Sequence, residues 1–232
     1  MALKSSIKKP WPTKAVMRQI YEKHLWGGSQ YDFYSGMGSH NKSLVDPYIH
    51  VLRSFLTSFS QPIRVCDLGC GDFNVGRQLH DLTIQYIGVD IVDELITRNE
   101  LKYASPNLEF DCLDISEDQL PSADCVILRQ VLQHLSNAEI MRIAKKLSAY
   151  QYVIVTEHMP NGQFNPNLDI VSGQGIRLKK ESGVDLLSSP FNLKVKSDEM
   201  LLSIDLADGK GRIVTTLYRM SSPSALGGAS FT

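Results

Sequence analysis

The apolar positions of the chain fall into short unbroken runs separated by stretches of helical spacing. The first clear run, Ile63, Val65 and Leu68, reads as a buried strand, and Gly69 and Gly71 break it where a helix must begin. Further runs at residues 85–90, 108–113, 124–130 and 152–157 predict four more strands. Between them, residues 74–82, 92–101 and 136–147 read as helices. The last opens on the capping box Ser136-Asn-Ala-Glu139 and shows Ile140, Ile143, Ala144 and Leu147 on one face. Asp93 and Glu94 stand in the first turn of the second, where negative charge suits the helix dipole.

Two helices precede the first strand. One spans residues 12–25, with Val16, Met17, Ile20 and His24 on one face. The other opens with Asp46 as N-cap and Pro47 as first residue and shows Tyr48, Val51, Leu52, Phe55, Leu56 and Phe59 at helical spacing. Strand and helix alternating in this way imply a parallel α/β sheet with right-handed crossovers. The pattern changes after His158. Residues 159–190 hold Pro160, Asn161-Gly162, Pro166, Gly173 and Gly175, an irregular insertion with one short helix near 183–187, and a loop this long is usually functional. Two last strands, within 191–206 and near 212–218, flank Asp208-Gly-Lys-Gly211 and so form an antiparallel hairpin. The chain divides into an N-terminal helix and loop (1–43), a main domain (44–220) and a small polar tail (221–232) expected to fray.

Composition narrows the class. The 232 residues are 43% hydrophobic and 21% charged, as expected of one soluble domain with extensions. A formal charge of -1 without a long run of one sign gives no support for a nucleic-acid or membrane partner. No apolar stretch approaches a membrane span, and the first ten residues lack the apolar core of a signal peptide. Cys66, Cys70, Cys112 and Cys125 sit in or beside expected buried strands without a C-x-x-C pair, which implies reduced core thiols in a cytoplasmic protein and no metal site.

The chemistry gathers at strand ends. Asp67 lies just before the Gly69-Cys-Gly71 turn, where bare backbone lets a ligand approach. Asp90 ends the next run about twenty residues on, where a cofactor ribose is held by its hydroxyls, and Asp114 ends the third. The loop 26–40 is rich in glycine and serine but also in aromatics, which solvated linkers usually lack; it reads either as an entry loop packing its aromatics on the core or as a lid that brings Tyr34 and His40 onto the ligand.

Val65-Cys-Asp-Leu-Gly-Cys-Gly71, Gly88-Val-Asp90, Leu113-Asp-Ile115 and the stretch from Asp124 to Leu135 resemble, in this order and spacing, the successive motifs of class I S-adenosylmethionine-dependent methyltransferases. The resemblance covers roughly residues 44–158. It implies a doubly wound, mostly parallel seven-stranded sheet with an antiparallel last strand, and S-adenosylmethionine across the strands' carboxyl ends. It also implies that Gly69 and Gly71 pass beneath the methionine part, with Asp67 acting through the ammonium. Asp90 would hold the ribose, Ile91 the adenine face, and Asp114 and Ile115 the adenine edge. Arg129 would offer its carbonyl to the ammonium, and the Arg129 and Gln130 side chains would reach the carboxylate or the substrate. Phe73 departs from the small residue often found there, and either narrows the methionine end or packs behind the turn.

The activity so implied is methyl transfer to a small-molecule acceptor, at oxygen or nitrogen, by in-line attack on the sulfonium methyl. His134, just past the fourth strand, and Glu157 and His158, at the tip of the fifth, are the candidate bases. Arg177, Lys179 and Lys180 on the insertion read chiefly as solvated surface. Two other readings stand beside this one. An NAD-dependent oxidoreductase would need a third glycine where Asn74 stands, and would bring Asp67 close to a pyrophosphate. A non-catalytic module would bind S-adenosylmethionine without transferring its methyl.

Overall fold

Seven strands form one sheet in a computed structural model that describes residues 11–221. They are β1 (Arg64–Leu68), β2 (Gln85–Asp90), β3 (Leu108–Cys112), β4 (Cys125–Arg129), β5 (Tyr152–Met159), β6 (Val195–Asp205) and β7 (Arg212–Met220), in the order β3-β2-β1-β4-β5-β7-β6. The pairs among β1 to β5 are parallel, and β7 runs antiparallel to both β5 and β6. The hairpin expected from Asp208-Gly209 is formed. The expected tail, apart from Ser221, lies outside the described residues, as do the first ten residues. None of the described helices is long and apolar enough to cross a membrane.

Strand alternation sorts the core into two layers. Cys66, Leu68, Val126 and Leu128 face α1 (Thr13–Glu22) and α5 (Asn137–Leu147), meeting Met17, Ile20, Ile140 and Ile143. Val65, Cys125 and Ile127 face the other way, onto Tyr48, Leu52 and Leu56 of α3 (Lys42–Thr57). The capping box at Ser136 and Glu139 is complete, and the Thr13 hydroxyl donates to Glu139, which docks α1 on α5. Arg18 ties α1 to Asp93 and Glu94 at the start of α4 (Asp93–Lys102).

Four sequence expectations are corrected. The helix expected to open at Asp46-Pro47 begins at Lys42: the Asn41 side chain caps it by accepting the Ser43 N–H, and Pro47 lies inside. As the sixth residue of the helix, the proline forgoes one backbone bond, to the Ser43 carbonyl, and crowds that carbonyl. Residues 74–82 form two single 3-10 turns, Gly76–Gln78 and His80–Leu82, rather than a helix. Phe73 is the cause: it sits in the left-handed region, fully buried, and its ring would meet any Cβ at Gly76 at 2.3 Å. Phe73 therefore packs behind the turn against Tyr86 and Phe110, and not toward the ligand side. The helix expected near 183–187 is absent; the insertion instead holds one 3-10 turn at Arg177–Lys180. Lastly, Cys112 is exposed, whereas Cys66, Cys70 and Cys125 are buried, and all four are free thiols. An unexpected short helix, α2 (Met37–His40), ends the glycine-rich loop.

Candidate active site

The strand order reverses between β1 and β4, the place where open α/β sheets bind ligands. A cavity of about 420 Å³ lies there, within the range of small-molecule sites. One wall is the Gly69-Cys70-Gly71 turn with Asp90, Ile91, Asp114 and Ile115. Arg129, Gln130 and His134 form a second wall after β4. Met17 and Tyr21 of α1, Trp26, the strap 35–39 and three insertion residues, Gln174, Ile176 and Lys179, complete the enclosure.

Each wall has a local cause. Gly69 and Gly71 have φ of +83° and +56°, and a Cβ on them would come within 2.4 Å of Val131 and 2.3 Å of Ser35 Oγ. The turn thus admits both the loop after β4 and the strap at backbone distance. Asp90 Oδ2 accepts the Gly71 N–H (3.1 Å) and Oδ1 the Val92 N–H (3.2 Å). Burial pushes its carboxyl pKa up, and these bonds pull it back. Asp114 Oδ1 accepts from the Ser116 N–H and hydroxyl, which fixes that carboxylate at the cavity edge.

Arg129 is nearly buried, its guanidinium 4.9 Å from the Tyr48 ring centroid, and it donates to Gly38 O (2.6 Å) and Gln130 Oε1 (3.2 Å). Its side chain therefore holds the strap against the end of β4. Asp67 lies beneath the turn and does not line the large cavity. Its Oδ2 accepts the Tyr86 hydroxyl (2.8 Å), and with Arg129 it lines a second cavity of about 20 Å³, sized for one water. Burial pushes the Asp67 pKa up to about 6, against the pull of Tyr86 and Arg129.

Tyr34 and His40 lie outside the cavity and fasten the strap. Their rings stack at 4.3 Å, and His40 Nε2 sits 2.5 Å from Asp72 Oδ2. The same oxygen accepts the Ser35 N–H, while the Asp72 N–H donates to Ser35 Oγ. Arg98 completes the fastening by bridging Asp32 and the Asp72 carbonyl. The strap residues that do line the cavity, Ser35 to Ser39, carried no sequence signal beyond their glycines.

Of the three candidate bases, His134 alone lines the cavity. Its ring lies 5.3 Å from that of Trp26, and burial pushes its pKa down to about 4. Glu157 lies behind the loop after β4, where burial raises its carboxyl pKa to about 8. The side chain of His158 is turned to the Lys210 carbonyl (3.1 Å) at the hairpin. Arg177, expected at the surface, is 1% exposed, a correction caused by three carbonyls of the loop after β4 and the Asn137 side chain at the start of α5, which accept from it.

Comparison with known proteins gives a match over part of the chain. Residues 65–150 match the family model described as "Methyltransferase domain". No curated protein sequence matches the chain. Among solved structures, the N-methyltransferase NodS from Bradyrhizobium japonicum WM9, in complex with S-adenosyl-L-homocysteine, superposes with a TM-score of 0.63 at 10% identity, covering 89% of this chain and 100% of that one. The N-terminal domain of EvdMO1 with the same product bound gives 0.57 at 16% identity, covering 91% and 98%. Human N-acetylserotonin methyltransferase in complex with S-adenosylmethionine gives 0.55 at 17% identity, covering 91% and 60%. At these identities the likeness is one of fold, and it extends well beyond the residues that the family model matches.

Proposed function

We infer that this chain, which carries a methyltransferase domain of the class I fold, transfers a methyl group from S-adenosylmethionine to the oxygen or nitrogen of a small-molecule acceptor. The observation that carries the reading is Asp90: a buried carboxylate at the tip of β2, on the wall of the cavity and next to the glycine turn that the domain model matches. Those residues suit the cofactor. The Asp90 carboxylate accepts from both ribose hydroxyls, and ionised acceptors make such bonds strong. Ile91 packs on the adenine face, and Asp114 with the Ile115 backbone reads its edge. The Arg129 carbonyl meets the ammonium from one side, and Asp67 acts on it from beneath through water.

Bound there, S-adenosylmethionine supplies a methyl carbon already activated by its sulfonium. The chain's part is alignment and exclusion of water. Tyr21, Trp26 and the strap cover the site, while Gln130 and His134 face the acceptor from the β4 side. Held neutral by burial, His134 accepts a hydrogen bond from the acceptor's O–H or N–H in place of the Gln133 amide and so orients the acceptor's lone pair. Nicotinamide chemistry fits less well. The chain after the glycine turn forms 3-10 turns, so no α-helix N-terminus is aimed at a pyrophosphate.

The test is release of S-adenosylhomocysteine from purified protein against a panel of hydroxyl and amine metabolites. Acceptor-dependent release that is lost in His134→Ala is the expected result. Release only with polynucleotide or protein acceptors would overturn the small-molecule assignment.

A further inference from the structure

Behind the wall that carries His134, a buried guanidinium and a buried carboxyl group grip one stretch of backbone. Glu157, 2% exposed, accepts the N–H groups of Leu132 (2.9 Å) and Gln133 (3.0 Å). Arg177, 1% exposed, donates to the carbonyls of Leu132 (3.1 Å), Gln133 (3.5 Å) and Leu135 (2.7 Å), and to Asn137 Oδ1 (2.7 Å). Neither lines the cavity. Burying a guanidinium and a carboxyl group is expensive unless their hydrogen bonds are satisfied. Both spend theirs on neighbouring peptide units of the same loop, and they meet at the 132–133 peptide.

The consequence reaches the His134 ring. The His158 N–H donates to Gln133 Oε1 (3.2 Å), which leaves the Gln133 amide nitrogen facing His134 Nε2 at 3.3 Å. An amide nitrogen only donates, so Nε2 accepts. His134 Nδ1 lies 3.1 Å from the Gly173 carbonyl, which only accepts, so Nδ1 carries the proton. The insertion supplies that carbonyl and pins the same loop twice more, through Gly173 N–H to His134 O (2.9 Å) and Ser136 N–H to Ser172 Oγ (2.8 Å).

We propose that Arg177 and Glu157 are positioning residues for methyl transfer. By fixing the peptide units of residues 132–135, they hold His134 as its Nδ1–H tautomer, with Nε2 as the accepting nitrogen, met by the Gln133 amide until the acceptor's O–H or N–H takes that amide's place. The insertion 159–190 then belongs to the catalytic apparatus, since it carries both Arg177 and the Gly173 carbonyl that sets the tautomer. The proposal deepens the functional reading above and rests on it for the acceptor. Its structural content stands on the hydrogen bonds alone.

The experiment is imidazole 15N NMR and amide hydrogen exchange on the full chain, with titration of S-adenosylhomocysteine run separately. In the wild type, His134 should show a protonated Nδ1 and an unprotonated Nε2 at neutral pH. In Arg177→Met and in Glu157→Gln, that signature should give way to a mixture of tautomers. Amides 132–135 should exchange at least about tenfold faster in both, while affinity for S-adenosylhomocysteine stays within about threefold. A protonated Nε2 in the wild type would overturn the proposal. So would unchanged His134 signals and exchange in Glu157→Gln, a near-isosteric change that keeps the test open should Arg177→Met not fold. Failure of the wild type to bind S-adenosylhomocysteine would refute the functional reading instead, so the two failures are told apart.

Discussion

Asp90→Asn removes one charge and leaves the shape of the β2 tip. The carboxylate holds the Gly71 and Val92 N–H groups, one on each oxygen, so alanine would orphan two buried donors, whereas asparagine keeps one acceptor and stays close to isosteric. Hydrogen bonds to a charged partner are worth about 1.5–3 kcal/mol, against about 1 for neutral pairs. Trading two charged bonds to the proposed ribose hydroxyls for neutral ones should therefore weaken S-adenosylhomocysteine binding by about 1–4 kcal/mol, or roughly five- to 900-fold in Kd. Burial raises the Asp90 pKa, so wild-type affinity should also fall as pH is lowered through the acid range, and this dependence should flatten in the variant. Isothermal titration calorimetry reads both, with circular dichroism to confirm the fold. Affinity within a factor of two of the wild type would refute the assignment of Asp90 to the ribose.

Three further outcomes follow from the same geometry. Burial lifts the Asp67 pKa from 3.8 to about 6, so its stabilising share is full below about pH 4 and is lost as pH rises through about 6. That loss is on the order of 3 kcal/mol, so Asp67→Asn should flatten Tm against pH between 4 and 6, and an unchanged slope would contradict the argument. Gly71→Ala places a Cβ 2.3 Å from Ser35 Oγ at φ +56° and should lower Tm through about 1–2 kcal/mol of backbone strain plus the clash. Adding Ser35→Gly should restore the clash part only, and no recovery would mean that the strap does not press on the turn. In limited proteolysis, S-adenosylhomocysteine should protect residues 26–42, because the strap lines the cavity and fastens to Asp72; equal cleavage with and without it would refute closure over the ligand.

What the sequence made legible was what one local signal decides. The apolar runs gave β1 to β5, Asp90 and Asp114 beyond two of them line the cavity while Asp67 does not, and Asp208-Gly209 gave the hairpin, since period, burial and turn chemistry agree there. The start of α3 misled because Asp46-Pro47 imitates a cap that Asn41 provides five residues earlier. The helix after the glycine turn failed because Phe73, in a left-handed conformation, turns its ring into the space beside Gly76. Residues far apart in sequence were hardest to place. Tyr34 and His40 fasten the strap through Asp72, and Arg177 is buried by carbonyls about 40 positions away, contacts that no periodicity encodes.

Whether the cavity over the Gly69–Gly71 turn takes S-adenosylmethionine is decided by parallel calorimetric titrations of the purified chain with S-adenosylmethionine, S-adenosylhomocysteine and NAD. Micromolar binding of the first two and none of the third is the expected result. Binding of NAD with neither of the others would contradict it.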